Sequence, residues 1–225
     1  MKRAQEMFSP EDHQAITSAV VAAEKKTAAE IVSVVANVSG RYDRAEDSAG
    51  LWLGLIAFII TWAMYPTVPV EVGDWSGSHP VAQLAAYVVV IVVGYILGAS
   101  LATQIPGLRR LFTPAEQMSD ETWKAARAIF FDKRVHHTAD ATGVLIYFSL
   151  YEHRAVILAD QNALDLLGQE RINELCREMI EQVKSSNLTD AMTKTIETLG
   201  NELGKLLPRQ ADDINELSDA LIIIE

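Results

Sequence analysis

Two apolar runs, residues 51–65 and 81–102, constrain this chain more than any other feature in it. No charged side chain occurs from Ser48 to Val70, and none again from Pro80 to Leu108. A helix rises about 1.5 Å per residue, so about 20 apolar residues cross the hydrocarbon of a bilayer. The second run, Val81 to Ala102, reaches that length outright. The first, Leu51 to Tyr65, reaches it with its uncharged flanks, Ser48 to Gly50 and Pro66 to Val70. The pattern predicts a transmembrane helical hairpin; the alternative is a pair of core helices in a soluble protein.

Charge placement sets the expected orientation. Arg41 and Arg44 precede the first run, Arg109 and Arg110 follow the second, and the connecting loop has no Lys or Arg. The positive-inside rule then puts both termini in the cytoplasm and the loop outside, as a two-span protein of the cell membrane. Trp62, Tyr65 and Trp75 fall where an outer aromatic belt would lie, and Trp52 near the inner one. Met1 to Asp47 is polar, carries eight acidic residues and has no apolar signal-peptide h-region, so no signal peptide is expected. Gly50 and Gly54 in the first run, like Gly94 and Gly98 in the second, form G-x-x-x-G patterns. Both pairs would lie toward the cytoplasmic leaflet and could let the backbones approach closely. The alternative is that glycine is simply common in such helices.

The remaining chain divides into residues 1–47 and 109–225, around a membrane segment at 48–108. Ser9-Pro10-Glu11-Asp12 is a helix start, and Ile16, Val20, Ala23 and Thr27 continue it at helical spacing over 10–28. The β-branched stretch Glu30–Val38 predicts a strand. After the membrane, Thr113-Pro-Ala-Glu116 resembles a capping box for a helix to about Phe130, with Trp123, Ala126 and Phe130 on one face. Thr142–Leu150 and Ala155–Asp160, linked by four polar residues, predict an antiparallel hairpin near the centre of a sheet. Helices are expected over 162–184 and 188–207, then a short edge strand at Ala220–Glu225. One strand alone cannot bury its faces, so the two flanking pieces should pair into one α/β domain, with the membrane hairpin inside the crossover.

The net charge is −11, with no basic cluster, which argues against a nucleic-acid partner. The single cysteine, Cys176, excludes an intrachain disulfide and a Cys-based zinc site. No Gly-rich phosphate loop, serine elbow or dinucleotide fingerprint is present.

Ala22-Ala-Glu-Lys-Lys-Thr-Ala-Ala-Glu-Ile31, Thr142-Gly-Val-Leu-Ile146 with Ser149-Leu150, Val156-Ile-Leu-Ala-Asp160 and Asp213-Ile-Asn-Glu-Leu217 resemble the TPM domain family. That family is known from thylakoid-lumen proteins, a nematode receptor modulator and many bacterial membrane proteins; this chain looks like a bacterial integral-membrane member. The resemblance implies a three-layer α/β/α sandwich with a small mixed sheet, here interrupted by the two-helix hairpin. It also implies either acid-phosphatase activity with calcium binding, as in some plant members, or service as a partner of membrane complexes. The chain departs from the family's common layout, because its membrane segment interrupts the domain instead of following it.

Asp160 ends a strand, where sites in α/β sheets tend to sit. With Asp212, Asp213 and Glu216 it could offer hard oxygen ligands to Ca²⁺ or Mg²⁺. The competing reading makes Asp160 a helix cap and the acidic tail a set of hydrogen-bonding ties. His136 and His137 point apart on an extended chain and read as loop residues. Cys176, beside inward Leu175 and Met179, reads as an inert thiol. The leading expectation is a non-enzymatic or weakly enzymatic membrane-anchored domain that docks on, or helps assemble, a membrane complex. The alternative is a metal-dependent phosphatase using Asp160 and Asp213. A third is a homo-oligomer formed through the glycine-lined spans.

Overall fold

The computed structural model describes residues 4–64, 80–138, 140–209 and 215–225. They form helices α1 (Ala4–Met7) and α2 (Pro10–Glu24), strand β1 (Ile31–Ala36), and long helices α3 (Asp43–Met64) and α4 (Pro80–Gln104). Helices α5 (Pro106–Leu111) and α6 (Ala115–Asp132) follow, then strands β2 (Val144–Ser149) and β3 (Arg154–Ala159). Helices α7 (Gln161–Leu167), α8 (Gln169–Ser185) and α9 (Leu188–Leu206) precede the short strand β4 (Ile222–Ile224). The loop 65–79, with Tyr65 and Trp75, lies outside the described residues.

By packing, the chain makes two compact units, one of Met1–Gly40 with Glu116–Glu225 and one of Arg41–Ala115. In the first, the four strands form one mixed sheet in the order β3-β2-β1-β4. β1 pairs in parallel with β2, Ile31 opposite Val144, and in parallel with β4, Val34 opposite Ile222. β2 and β3 are antiparallel, with Val144 opposite Ala159. The β-branched composition of β1 suits a strand buried along its whole length. Successive side chains alternate between the sheet's faces. Ile31, Val35, Val144, Ile146 and Phe148 pack with Ile16 and Val20 of α2, Leu175 and Met179 of α8, and Ile196 and Leu199 of α9. Val32, Val34, Leu145 and Tyr147 join the other cluster, with Ala126 and Phe130 of α6.

Local signals explain the boundaries. Ser9 Oγ accepts from the Asp12 N–H at 3.2 Å, and the Asp12 carboxylate accepts from the Ser9 N–H at 2.9 Å. With Pro10 in the first turn, this reciprocal cap fixes where α2 begins. The helix stops at Glu24, short of the expected residue 28, because Thr27 leaves it to bridge Pro208. The expected helix over 162–184 is two, divided at Gly168, whose φ of +78° no helical residue adopts. In α6 the inward face is Met118, Thr122, Ala126 and Phe130, while Trp123 is 47% exposed. The β2–β3 hairpin is not central: β3 forms an edge, and only Ile157 within it is fully buried.

In the second unit, α3 and α4 are two helices long and apolar enough to cross a membrane. Their apolar windows are only 17% and 11% buried, unlike those of core helices. Leu51, Trp52, Ile59, Val88, Val92 and Ile96 all face outward. Glycines line the contact between the helices. A Cβ placed on Gly54 would stand 2.9 Å from the Ile91 carbonyl oxygen, and one on Gly98 would stand 2.8 Å from that of Ala49. The hairpin is also tied by polar bonds: Tyr95 Oη donates to Asp47 at 2.7 Å, and Arg109 pairs with Glu46 at 3.3 Å.

Because no side chain fits at Gly98 without moving backbone, Gly98→Leu should destabilise the hairpin by about 1–3 kcal/mol. Thermal melting of the full chain in detergent should fall accordingly. Gly107→Ala, where nothing lies within 4 Å of the added Cβ, should melt like the unaltered protein; equal melting of both variants would contradict this packing.

Candidate functional site

β1 and β2 begin at the end of the sheet where the antiparallel β3 finishes, so several polar segments meet there. The Asp160 N–H donates to the Gly143 carbonyl at 2.8 Å, closing the ladder. Its Oδ1 accepts from the Gln161 N–H at 2.8 Å and caps α7, while Oδ2 is buried without a hydrogen-bond partner among the described residues. Asn162 follows the cap, and its Nδ2 donates to the Asp140 carbonyl at 2.6 Å. Thr142 Oγ1 donates to the Ala28 carbonyl at 3.0 Å, stitching the start of β2 to that of β1. A cleft of about 620 Å³ opens here, lined by Ala28, Asp140, Thr142, Asn162, Asp165 and Arg209 among others.

Two buried glutamates flank the start of β1. Glu24, at the end of α2, accepts from the Ile31 N–H at 2.9 Å. Burial pushes its carboxyl up to about 8, and the nearby charges of Glu30 and Asp219 add to the rise against the opposing pull of Arg209. Glu30 accepts from the backbone N–H groups of Glu216 at 3.3 Å and Leu217 at 3.2 Å, and so holds the C-terminal segment to the sheet. At the opposite end of β1, buried Glu152 accepts from the Ser39 N–H at 2.9 Å and from the Ser149 hydroxyl. Sequence reasoning missed Glu24 and Glu152; an acidic residue bordering an apolar run was the available signal, and it reveals neither the turn that brings Ile31 back to Glu24 nor the Ser39 partner of Glu152, 113 residues away.

Of the expected metal ligands, Asp160 caps α7, and Glu216 meets Glu30 through its backbone. Asp212 and Asp213 lie outside the described residues. Among the described residues, no three His, Cys, Asp or Glu side chains converge as a metal site would require. His136 sits in the turn after α6, its ring centroid 4.7 Å from that of Phe131. Thr27, part of the family-like stretch, donates through Oγ1 to the Leu207 carbonyl at 2.9 Å. Cys176 is half-buried on α8; burial pushes its thiol up to about 11, with the Ile157 N–H donating to its sulfur. Such a thiol carries little thiolate near neutral pH.

No protein-family model matches the chain, and no curated protein matches it. Among solved structures, it is similar to the NMR structure of the BA42 protein from the psychrophilic bacterium Bizionia argentinensis sp. nov., at 17% identity and a TM-score of 0.57. That match covers 99% of each chain. At such identity the likeness is one of fold.

Glu24 should make stability pH-dependent. Its folded value of about 8 lies above the ordinary 4.5, so the folded state holds the proton more tightly than the unfolded chain. That advantage is complete below about pH 4.5 and is lost as pH rises through about 8. Glu24→Gln keeps an acceptor for Ile31 without the charge. Between pH 5 and 9, denaturant unfolding should show the unaltered protein losing about 2 kcal/mol more than the variant, after discounting for solvent screening. Parallel profiles would contradict the burial of this carboxylate.

Proposed function

We propose that this chain is an integral membrane protein carrying a TPM-like domain, and that the domain docks on, or helps assemble, a membrane protein complex. The observation that carries this reading is the position of the anchor. The outward-facing apolar helices α3 and α4 lie between β1 and β2, which pair strand to strand. An anchor placed there is part of the crossover between paired strands, which ties the domain to the membrane. The two apolar clusters on opposite sheet faces, one involving α2, α8 and α9 and the other α6, support a three-layer α/β/α sandwich. Arg41, Arg44, Arg109 and Arg110 beside the spans favour a cytoplasmic domain with both termini inside.

The second reading, a Ca²⁺- or Mg²⁺-dependent phosphatase, draws on one observation, the buried Oδ2 of Asp160 that lacks a hydrogen-bond partner among the described residues. The full chain, purified in detergent after cross-linking in membranes, separates the two. Docking predicts co-purification of a membrane protein and no turnover of a phosphomonoester with either cation. Turnover abolished by Asp160→Asn or Asp213→Asn would replace docking with catalysis. Orientation has its own probe in Cys176: in intact cells an impermeant maleimide should leave it unlabelled, and should react only after permeabilisation and unfolding. Labelling of intact cells would place the domain outside.

A further inference from the structure

We propose that β3 is the seam along which two copies of this chain join, antiparallel and two-fold symmetric about Ile157. The strand lies at the edge of the sheet, with β2 on one side only. In an antiparallel pair, residues whose N–H and C=O face the neighbouring strand alternate with residues that turn them away. The Asp160 N–H to Gly143 bond puts residues 154, 156, 158 and 160 on the β2 side. Ala155, Ile157 and Ala159 therefore direct their backbone groups outward.

A groove of about 550 Å³ runs along that outward side. Trp123 of α6 overhangs it from one face, and Ile172, Cys176 and Arg177 of α8 from the other, with residues 155–159 as its floor. The Ile157 N–H donates to the Cys176 sulfur, a weaker acceptor than a carbonyl oxygen. Arg154–Ala159 has no proline and no lysine, and its six residues stay in unbroken register with β2.

The strand's own charges select the occupant. Arg154 and Asp160 stand three residues to either side of Ile157. Antiparallel pairing centred on Ile157 sets Arg154 of each copy opposite Asp160 of the other, on the sheet face that carries Val156 and Leu158. The Asp160 side chain then stands across the pair from a guanidinium. The same register makes Ile157 face Ile157, and Ala155 face Ala159, as hydrogen-bonded pairs, giving about six backbone bonds. A strand of another sequence would satisfy the backbone but not both charged ends. Membrane spans confine the copies to a plane and raise their effective concentration. This pairing depends on the sheet edge and not on the docking proposed above.

The full chain in detergent micelles should sediment at equilibrium as a dimer. Arg154→Glu, which sets like charges opposite each other twice, should weaken association about tenfold, and Arg154→Glu with Asp160→Arg should restore it. Ala155→Pro removes an outward N–H while sparing the β2 ladder, and should yield monomer with unchanged far-UV circular dichroism. If the proline variant misfolds, the charge-reversal pair still decides. A monomeric unaltered protein would overturn the proposal, as would a monomer whose groove captures an added extended peptide. A dimer indifferent to the charge reversals but dissolved by Gly98→Leu would overturn it too, by moving the contact into the spans.

Discussion

The parallel ladder between β1 and β2 is the bond on which the rest of this molecule depends. It joins Ala36 to Ser149 and Ile31 to Val144, across a connection that includes both long apolar helices. Loop-closure entropy grows only slowly with length, so the long connection itself costs little more than a short one. The demand is one of order: β1 has no partner until the chain has passed through α3, α4 and α6. Both β2 and β4 come after the apolar helices, and β1 pairs with each. Until then, the buried faces of β1 are exposed apolar surface. A sheet assembled from such distant segments folds late and nonlocally.

Polar fastenings hold the points where connectors leave this sheet. Glu24, Glu30 and Glu152 are each more than nine-tenths buried, and each accepts from main-chain N–H groups that have no strand partner. A buried N–H left unpaired costs about as much as a lost hydrogen bond, and a carboxylate oxygen is a strong acceptor for it. The arrangement explains acidic residues inside a core without invoking catalysis. Burial, with the charges of Glu30 and Asp219 nearby, drives the Glu24 carboxyl well above its ordinary acidity.

The legible parts of the fold were those written in local chemistry. Ser9 with Pro10 announces α2, the β-branched Ile31–Val35 stretch announces β1, and the charge-free runs announce two long apolar helices. What was illegible depended on distant contacts or on a single backbone torsion. Gly168 divides a periodic apolar pattern that reads as one helix, because Ile172, Leu175 and Met179 keep their spacing regardless of the break. Trp123 reads as core by hydrophobicity, yet Thr122 takes the inward position and satisfies its hydroxyl on the Met118 carbonyl. Asp160 was ambiguous for a physical reason. An aspartate at the junction of a strand and a helix is equally suited to capping and to ligation, and only the bond from the Gln161 N–H identifies the first use.

The two edges of the sheet are treated differently, and the contrast matters for association. β4 is three residues long and joins β1 near Asn37, whose side chain also accepts from the Ala4 N–H at the start of α1. Shortness and an adjoining helix are the usual means of making an edge unattractive to other strands. β3 is longer: six residues in full register, overhung by Trp123 and α8, with alanines at two of its three outward positions, Arg154 at its start and Asp160 just past its end. Small side chains there leave a neighbour's backbone free to approach, whereas a lysine or a bulge would repel it. The two edges of this sheet differ in length and cover, and the β3 side is where we propose that its outward backbone groups meet a second copy.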